Sequence, residues 1–355
     1  MPTIKDVAKK AGVSVSTVSR VLNGYPHITD EVSRRVLDAV EELDYRPNRV
    51  AQRLRATHSQ LVGVIFSDIT NPFYIHVLRG IEHIFSQRRM SVLISNADAD
   101  PQLEEYFIRL MQTEGIAGLI IAPTTEDSPA LVSAIYQGLP VVVIDRRMSR
   151  GEVDTVLVDN FKGALLAIQH LIRLGHRRIG VISGPLHLTT GRDRYAGYLQ
   201  AMSDAGLPVE ATLTRFGDYR QESGYKLAHD LISLPDPPTA LFVANNQMTI
   251  GALNAIHEAG RVIPDEIAVV GFDDLSWAIS LNPPLTTVAQ PTFEIGVNAA
   301  HLLLERIADP KRPPRTVILE TELKIRASCG AKLSPEERRP WPTQELPPSK
   351  TTAID

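Results

Sequence analysis

The chain has 355 residues, a hydrophobic content of 43% and a net charge of −4, which allows one small domain plus a larger two-lobed one. No apolar run approaches the roughly 18 to 20 residues that span a bilayer, and the first residues lack the apolar segment of a secretory signal. The single cysteine, Cys329, excludes an internal disulfide framework and a cysteine-built zinc site. We therefore expect a cytoplasmic protein without membrane contact, metal or cofactor.

The charge is unevenly distributed. Residues 1–60 contain ten Lys and Arg against seven Asp and Glu, a net charge of +3, which leaves −7 for the remainder. A basic N-terminal segment on an acidic body suits local contact with phosphates. A solvated basic face would look the same, so charge alone does not identify a DNA-binding protein.

Three short helices are predicted in the first 45 residues. Thr3 and Asp6 form a capping box for a helix over 3–11, Gly12 ends it, and Ser14 caps a second helix over 15–22. A third helix begins after Thr29 and buries Val32, Val36, Val40 and Leu43. The second helix buries Val18, Val21 and Leu22, which leaves outside Val15, Ser16, Thr17 and Arg20.

Two short helices joined by a glycine turn and braced by a third are typical of a helix-turn-helix. The small, hydroxylated residues at the start of the second helix would fit a major groove, and Arg20 can offer a bidentate contact to guanine. A three-helix module without a DNA role remains the alternative on pattern alone.

The amino-acid sequences of these segments resemble those of a known protein family. Residues 3–8, 11–14 and 17–23 closely resemble the headpiece of the lactose-repressor (LacI/GalR) family, as do residues 45–54. The resemblance implies that operator DNA is contacted from the headpiece by Thr3, Ser14, Val15, Ser16, Thr17, Arg20 and Asn23. In that family residues matching 47–60 form a hinge helix and linker, which folds when two copies meet over the minor groove.

The hinge residues are compatible with that behaviour. Pro47 suits a helix start, and a helix of about eight residues is not stable alone. The resemblance implies DNA contacts from Asn48, Arg49, Gln52, Leu54 and Arg55. Leu54 would be the wedge inserted between base pairs, with ordinary interdomain packing as the alternative.

From residue 61 onward, apolar strands alternate with amphipathic helices. The predicted strands are 61–66, 91–94, 118–121, 141–144 and 155–158, then 179–182, 213–216, 240–243 and 268–271. Two successive series of this kind predict an α/β body with two doubly wound parallel sheets. In such sheets ligands bind beyond the carboxyl ends of the strands, so the cleft between the two lobes is the expected site.

Polar or aromatic side chains follow almost every predicted strand. Each alone fits a loop cap or a lobe contact, but their convergence predicts a site for a polyol, whose hydroxyls suit carboxylates, amides and guanidinium groups. Aromatic rings would supply the apolar face for a sugar ring. The candidates are Asn71, Phe73, Tyr74, Asp145, Arg146, Arg194, Tyr219, Asn245, Asp273 and Gln290.

The body is similar to the effector domain of the same family and to periplasmic sugar-binding proteins. Headpiece and body together, the resemblance covers residues 3–327. Its candidate residues most resemble those of ribose binders, which implies that Phe73, Tyr74 and Tyr219 sandwich a sugar ring. Ala122 stands where ribose binders carry another Asn, so pentoses and hexoses both remain open. Leu188 replaces an effector-contacting Arg of purine-binding relatives, which disfavours a nucleobase.

Three other classes were weighed. The common nucleophile, phosphate-loop and zinc motifs of enzymes are missing, and Asp145 and Asp273, as a glycosidase pair, would lie beside arginines and amides that favour their ionised forms. A transport-type sugar-binding protein would have no use for residues 1–55. A constitutive DNA-binding protein would not need the polar set of the cleft.

The sequence therefore predicts a regulator with a headpiece (1–46), a hinge (47–60), an effector and dimerisation domain (61–330) and a disordered, Pro-rich tail (331–355). A homodimer on palindromic operator DNA is expected, because one headpiece reads one half-site. The effector would be a neutral monosaccharide that closes the cleft and shifts the hinge spacing. Induction and corepression both remain open.

Overall fold

In a computed structural model of the chain, the described residues are 2–22, 25, 28–45 and 59–332. Contacts divide the chain into two compact units, residues 1–59 and 60–355. The predicted hinge helix, the tail beyond residue 332 and six candidate DNA-contacting residues lie outside the described residues: Asn23, Asn48, Arg49, Gln52, Leu54 and Arg55. The domain boundaries given above stay predictions.

The first unit contains the three predicted helices, α1 (Ile4–Ala11), α2 (Val15–Leu22) and α3 (Asp30–Glu42). The Asp6 carboxylate accepts hydrogen bonds from the Thr3 backbone N–H (2.8 Å) and hydroxyl (2.7 Å), so the capping box forms. Val7, Val18 and Val36, one from each helix, are fully buried. These valines hold three short helices together that would be unstable singly.

The first lobe of the second unit is a parallel sheet in the order β11-β5-β4-β3-β1-β2. Its strands and helices are β1 (Leu61–Phe66), α4 (Pro72–Gln87), β2 (Ser91–Asn96), α5 (Pro101–Thr113), β3 (Gly118–Ile121), α6 (Pro129–Tyr136), β4 (Val141–Ile144), β5 (Asp154–Val158), and later α11 (Thr292–Ala308) and β11 (Thr316–Leu319). Apolar clusters cover both faces of this sheet, as its continuous apolar strands require.

The second lobe repeats the plan in the order β12-β10-β9-β8-β6-β7. It comprises α7 (Asn160–Arg173), β6 (Ile179–Ser183), α8 (Thr189–Asp204), β7 (Thr214–Phe216), α9 (Gln221–Ile232), β8 (Ala240–Val243), α10 (Asn246–Glu258), β9 (Ala268–Phe272), β10 (Thr286–Ala289) and β12 (Glu322–Lys324). One apolar cluster forms its core.

The two doubly wound sheets and all nine predicted strands are confirmed, with shifts of one or two residues at five strand ends. At one of these, Leu213 closes a 3-10 turn instead of beginning β7. Strands β10, β11 and β12 were not assigned from the sequence. β10 extends the second sheet beside β9, and the chain then returns to the first lobe for α11 and β11 before it adds β12 antiparallel to β10. None of the helices among the described residues is long and apolar enough to cross a membrane.

Candidate functional site

A cleft lies at the carboxyl ends of the parallel strands, between the two lobes of the second unit. It contains about 420 Å³ of space, which includes space open to solvent. All ten residues predicted from the strand ends line it. Ser67, Asp68 and Thr190 line it as well.

The backbone at this cleft is locally unusual. Asp145 and Asp273 directly follow β4 and β9, and with Tyr219 they adopt positive φ angles of 68°, 73° and 70°. A side chain disfavours this left-handed region, so these residues are held there by their surroundings. Such strain concentrates at binding sites, and here it turns three polar side chains into one cleft.

In the first lobe, the Asp145 carboxylate is oriented by a hydrogen bond from Tyr74. The Tyr74 hydroxyl lies 3.1 Å from Asp145 Oδ2 and 2.7 Å from the Ser67 hydroxyl. Tyr74 is buried and packs edge-on against Phe73, with ring centroids 5.0 Å apart. Burial, together with the nearby charge of Asp145, raises the pKa of Tyr74 far above its usual value. Tyr74 therefore stays a neutral donor that fixes Asp145 as an acceptor.

Arg146 lines the first-lobe side of the cleft beside Asp145. One guanidinium nitrogen, Nη1, donates to the Pro123 carbonyl oxygen at 2.6 Å, and Nε lies 3.6 Å from Asp145 Oδ2, beyond hydrogen-bonding distance. Arg146 Nε is buried without a hydrogen-bond partner. A buried donor of this kind costs free energy unless something accepts from it, so Arg146 Nε is available to an acceptor in the cleft.

In the second lobe, Arg194 is held on three sides. Its Nε donates to Asn160 Oδ1 at 2.7 Å, its Nη1 donates to the Ala244 carbonyl oxygen at 2.6 Å, and its guanidinium carbon lies 3.7 Å from the centroid of the Phe272 ring. A cation in such a cage is already ordered, so a ligand would bind it at little entropic cost.

Asp273 faces Arg194 from the end of β9. Its Oδ1 accepts a hydrogen bond from the Gln290 amide, and its Oδ2 lies 3.4 Å from the backbone nitrogen of Asn246. Gln290 Oε1 is also buried without a hydrogen-bond partner. Burial raises the pKa of Asp273, opposed by Arg194 and Gln290. Arg194 and Gln290 thus favour the ionised form, as the sequence indicated, but desolvation outweighs them.

Tyr219 forms the remaining side of the second-lobe wall. Its hydroxyl donates to Thr190 Oγ1 at 2.9 Å, and its carbonyl oxygen accepts from Asn245 Nδ2 at 3.1 Å. The ring lies so close to Gly184 that a Cβ there would be 2.0 Å from the ring carbon Cζ. Gly184 is thus the residue that gives the Tyr219 ring its space.

Asn71 and Asn245 have two functions each. Asn71 Oδ1 caps α4 through the Phe73 N–H (3.0 Å) and also accepts from Asn246 Nδ2 of the other lobe at 2.8 Å. Asn245 Oδ1 caps α10 through the Met248 N–H at 2.9 Å. Both also line the cleft, so the loop-cap alternative is confirmed for these side chains, while their contact with a ligand stays a prediction.

Three lining residues were missed from the sequence. Ser67 and Asp68 directly follow β1, so the strand-end rule applied to Asp145 would have found them. Thr190 lies in the first turn of α8, and only the packing of that helix against the cleft reveals it.

In the first unit, the candidate DNA-contacting residues cluster at the start of α2. The Ser14 hydroxyl lies 2.7 Å from the Ser16 hydroxyl and 2.8 Å from that of Thr17, and it accepts from the Thr17 N–H at 3.1 Å. Ser16 and Arg20 are exposed, whereas Val15 is half-buried against the headpiece core. Val15 thus faces outward only in part.

Comparisons with known proteins agree with this architecture. A model of the lacI family of bacterial regulatory proteins matches residues 3–48, and one of the periplasmic binding protein-like domain matches residues 168–329. The HTH-type transcriptional repressor PurR of Mannheimia succiniciproducens is 33% identical over 330 residues, which are 92% of this chain and 98% of that protein.

Solved structures resemble most of the chain. The lac repressor dimer bound to operator and the anti-inducer ONPF is 30% identical with a TM-score of 0.83, over 93% of this chain and 99% of that one. A LacI family transcriptional regulator from Enterococcus faecium with bound ribose is 30% identical with a TM-score of 0.69, over 76% of this chain and 98% of that one.

Proposed function

Because the chain belongs to the lacI family of bacterial regulatory proteins, we propose that it is a cytoplasmic repressor of carbohydrate-metabolism genes, controlled by a neutral monosaccharide. It would bind palindromic operator DNA as a homodimer, and the sugar would bind in the cleft of the second unit. No enzymatic step is proposed, since the relatives are transcriptional regulators.

The DNA half of the proposal rests on α2. Its first turn presents small hydroxylated side chains, and Arg20 is exposed one turn later, an arrangement suited to a major groove. The hinge residues would add phosphate contacts from Arg49, Arg53 and Arg55 and the wedge Leu54.

The sugar half rests on one observation, the network of Asp145, Arg146, Arg194 and Asp273 held rigidly in a buried cleft. Carboxylates accept from sugar hydroxyls and guanidinium groups donate to them, so vicinal hydroxyls could be bound in pairs. The lining includes three carboxylates and two guanidinium groups, with Asp68 as the third carboxylate. This balance disfavours a sugar phosphate and supports a neutral ligand.

A purine base is the second candidate effector, since the relatives include repressors named PurR. The residue that argues against it is Leu188, which is buried at the start of α8 and can offer no hydrogen bond to a base heteroatom. The bound ribose of the Enterococcus faecium regulator favours the sugar.

The mechanism that we propose is a population shift. A sugar that contacts both lobes binds the closed cleft better than the open one, and the difference in affinity shifts the dimer between two arrangements of its first lobes. The hinge spacing, and with it the affinity for the operator, would follow.

Calorimetric titration with a panel of pentoses, hexoses, hexose phosphates and purine bases tests the proposal. We expect one neutral monosaccharide to bind and, at 100 times its Kd, to stabilise the fold by about 2.7 kcal/mol. The same sugar should change the affinity for operator DNA in a fluorescence anisotropy assay. Binding of a purine base, and of no sugar, would overturn the sugar proposal.

A further inference from the structure

A loop of the first lobe contacts the second lobe at the rim of the cleft. Glu126 lies between β3 and α6, and its backbone carbonyl oxygen accepts from the Ser149 N–H (2.7 Å) and the Ser149 hydroxyl (2.9 Å). These bonds tie the loop to the segment that follows Asp145. Glu126 itself does not line the cleft.

The Glu126 carboxylate binds the start of α8. Its Oε1 accepts from the Thr189 hydroxyl, and Arg192 Nη2 donates to Oε1 at 3.2 Å and to Oε2 at 3.1 Å. The Thr189 oxygen in turn accepts from the Arg147 backbone N–H of the first lobe at 3.1 Å. The Glu126 side chain is only 16% exposed, so water screens these contacts in part.

The Glu126 carboxylate thus binds two side chains in the first turn of α8, whose N-cap position provides no side-chain hydrogen bond. The residue preceding α8, Leu188, has no side chain that can cap it, and the first N–H groups of a helix attract negative charge. α8 carries Thr190 and Arg194, two residues of the cleft wall. A carboxylate of one lobe therefore holds the helix that presents ligand-facing groups of the other.

We propose that Glu126, Thr189 and Arg192 form a rim latch that joins the lobes and sets the position of α8. Glu126 is then a positioning residue for the effector: it raises affinity without touching the ligand. This role rests on the proposed function for its effect on sugar binding, whereas its effect on α8 is independent of any ligand.

The test compares Glu126→Ala and Glu126→Gln with Asp127→Ala. Asp127 is the matched control, because it is the next residue of the same loop and pairs with Arg150 of the same lobe at 3.6 Å, with both side chains more than half exposed. Two quantities are measured: hydrogen exchange of amides 189–193 in the effector-free protein, and the Kd for the sugar found by titration.

Glu126→Ala should speed exchange in the first turn of α8 and weaken sugar binding, each about tenfold, since it removes charge-assisted hydrogen bonds. Glu126→Gln should raise the exchange rate and the sugar Kd about threefold each, because its amide oxygen still accepts from Thr189. The pair Glu126→Arg with Arg192→Glu should recover part of the loss if the two residues act together.

Exchange rates equal in Glu126→Ala and Asp127→Ala would overturn the latch, whatever the effector is. Faster exchange with an unchanged Kd would overturn the positioning role alone. If no sugar binds the unaltered protein, the proposed function fails, while the exchange measurement still decides whether the latch exists.

Discussion

The headpiece and the cleft present their polar residues in opposite ways. On α2, Ser16 and Arg20 are exposed to solvent and free to contact a partner surface. In the cleft, Asp145, Arg194 and Asp273 are buried and already bonded to protein groups. A DNA groove is rigid and can order the side chains that contact it, whereas a small ligand needs a site that is ordered in advance. Substitutions in the cleft should therefore be strongly coupled, and those in the headpiece nearly independent.

The largest effect is expected from Asp273→Asn. It keeps the shape of the side chain but removes the charge that would bind sugar hydroxyls beside Arg194, so the sugar Kd should rise at least about 100-fold. Operator binding without sugar should stay unchanged, which anisotropy with labelled operator would measure. The exposed Asp265→Asn is the control. Loss of operator binding by the folded variant would contradict the separation of cleft and headpiece.

Leu54→Ala should have the next largest effect, and it concerns DNA binding instead of the cleft. If Leu54 is the wedge in the minor groove, its truncation removes the contact that stabilises kinked DNA, and specific binding should weaken by roughly 10- to 100-fold. Binding to random DNA should hardly change. Leu37→Ala, at an exposed leucine of α3, is the matched control. Equal losses on operator and random DNA would refute the wedge.

The two regions also differ in how far the sequence predicted them. The nine assigned strands, and the rule that ligands bind beyond strand ends, were enough to bring ten residues to one cleft. The rule works because it concerns backbone topology, which apolar periodicity reveals directly. It would also have found Ser67, which follows β1 as Asp145 follows β4.

What the sequence did not predict depends on contacts between distant segments. The return of the chain to the first lobe for β11, and then to the second lobe for β12, has no local signal, and neither has the placement of Thr190 beside Tyr219. The pKa of Asp273 is a further example. Its charged neighbours can be guessed from strand ends, but the burial that outweighs them exists only in the folded lobe pair.

Gly184→Ala should have a moderate effect confined to the cleft. The added Cβ would meet the Tyr219 ring and push it from its place beside Thr190, so sugar affinity should fall about tenfold while operator binding stays unchanged. Tyr219→Phe, which keeps the ring and loses only the hydroxyl, separates ring position from hydrogen bonding. Unaltered affinity in Gly184→Ala would show that the ring does not contact the sugar.

The smallest effect is a gain in stability. Because burial raises the pKa of Asp273 above its usual 3.8, the protonated carboxyl suits the fold better than the ion; this advantage is complete below pH 3.8 and is lost as pH rises through the folded-state pKa. At pH 7 the ion is therefore unfavourable, and Asp273→Asn should raise Tm by about 2 °C. Calorimetry at pH 7 and pH 4 should show the gain shrinking in acid. A lower Tm at pH 7 would mean that Arg194 and Gln290 stabilise the ion fully, and that the cleft gains ligand affinity at no cost to the fold.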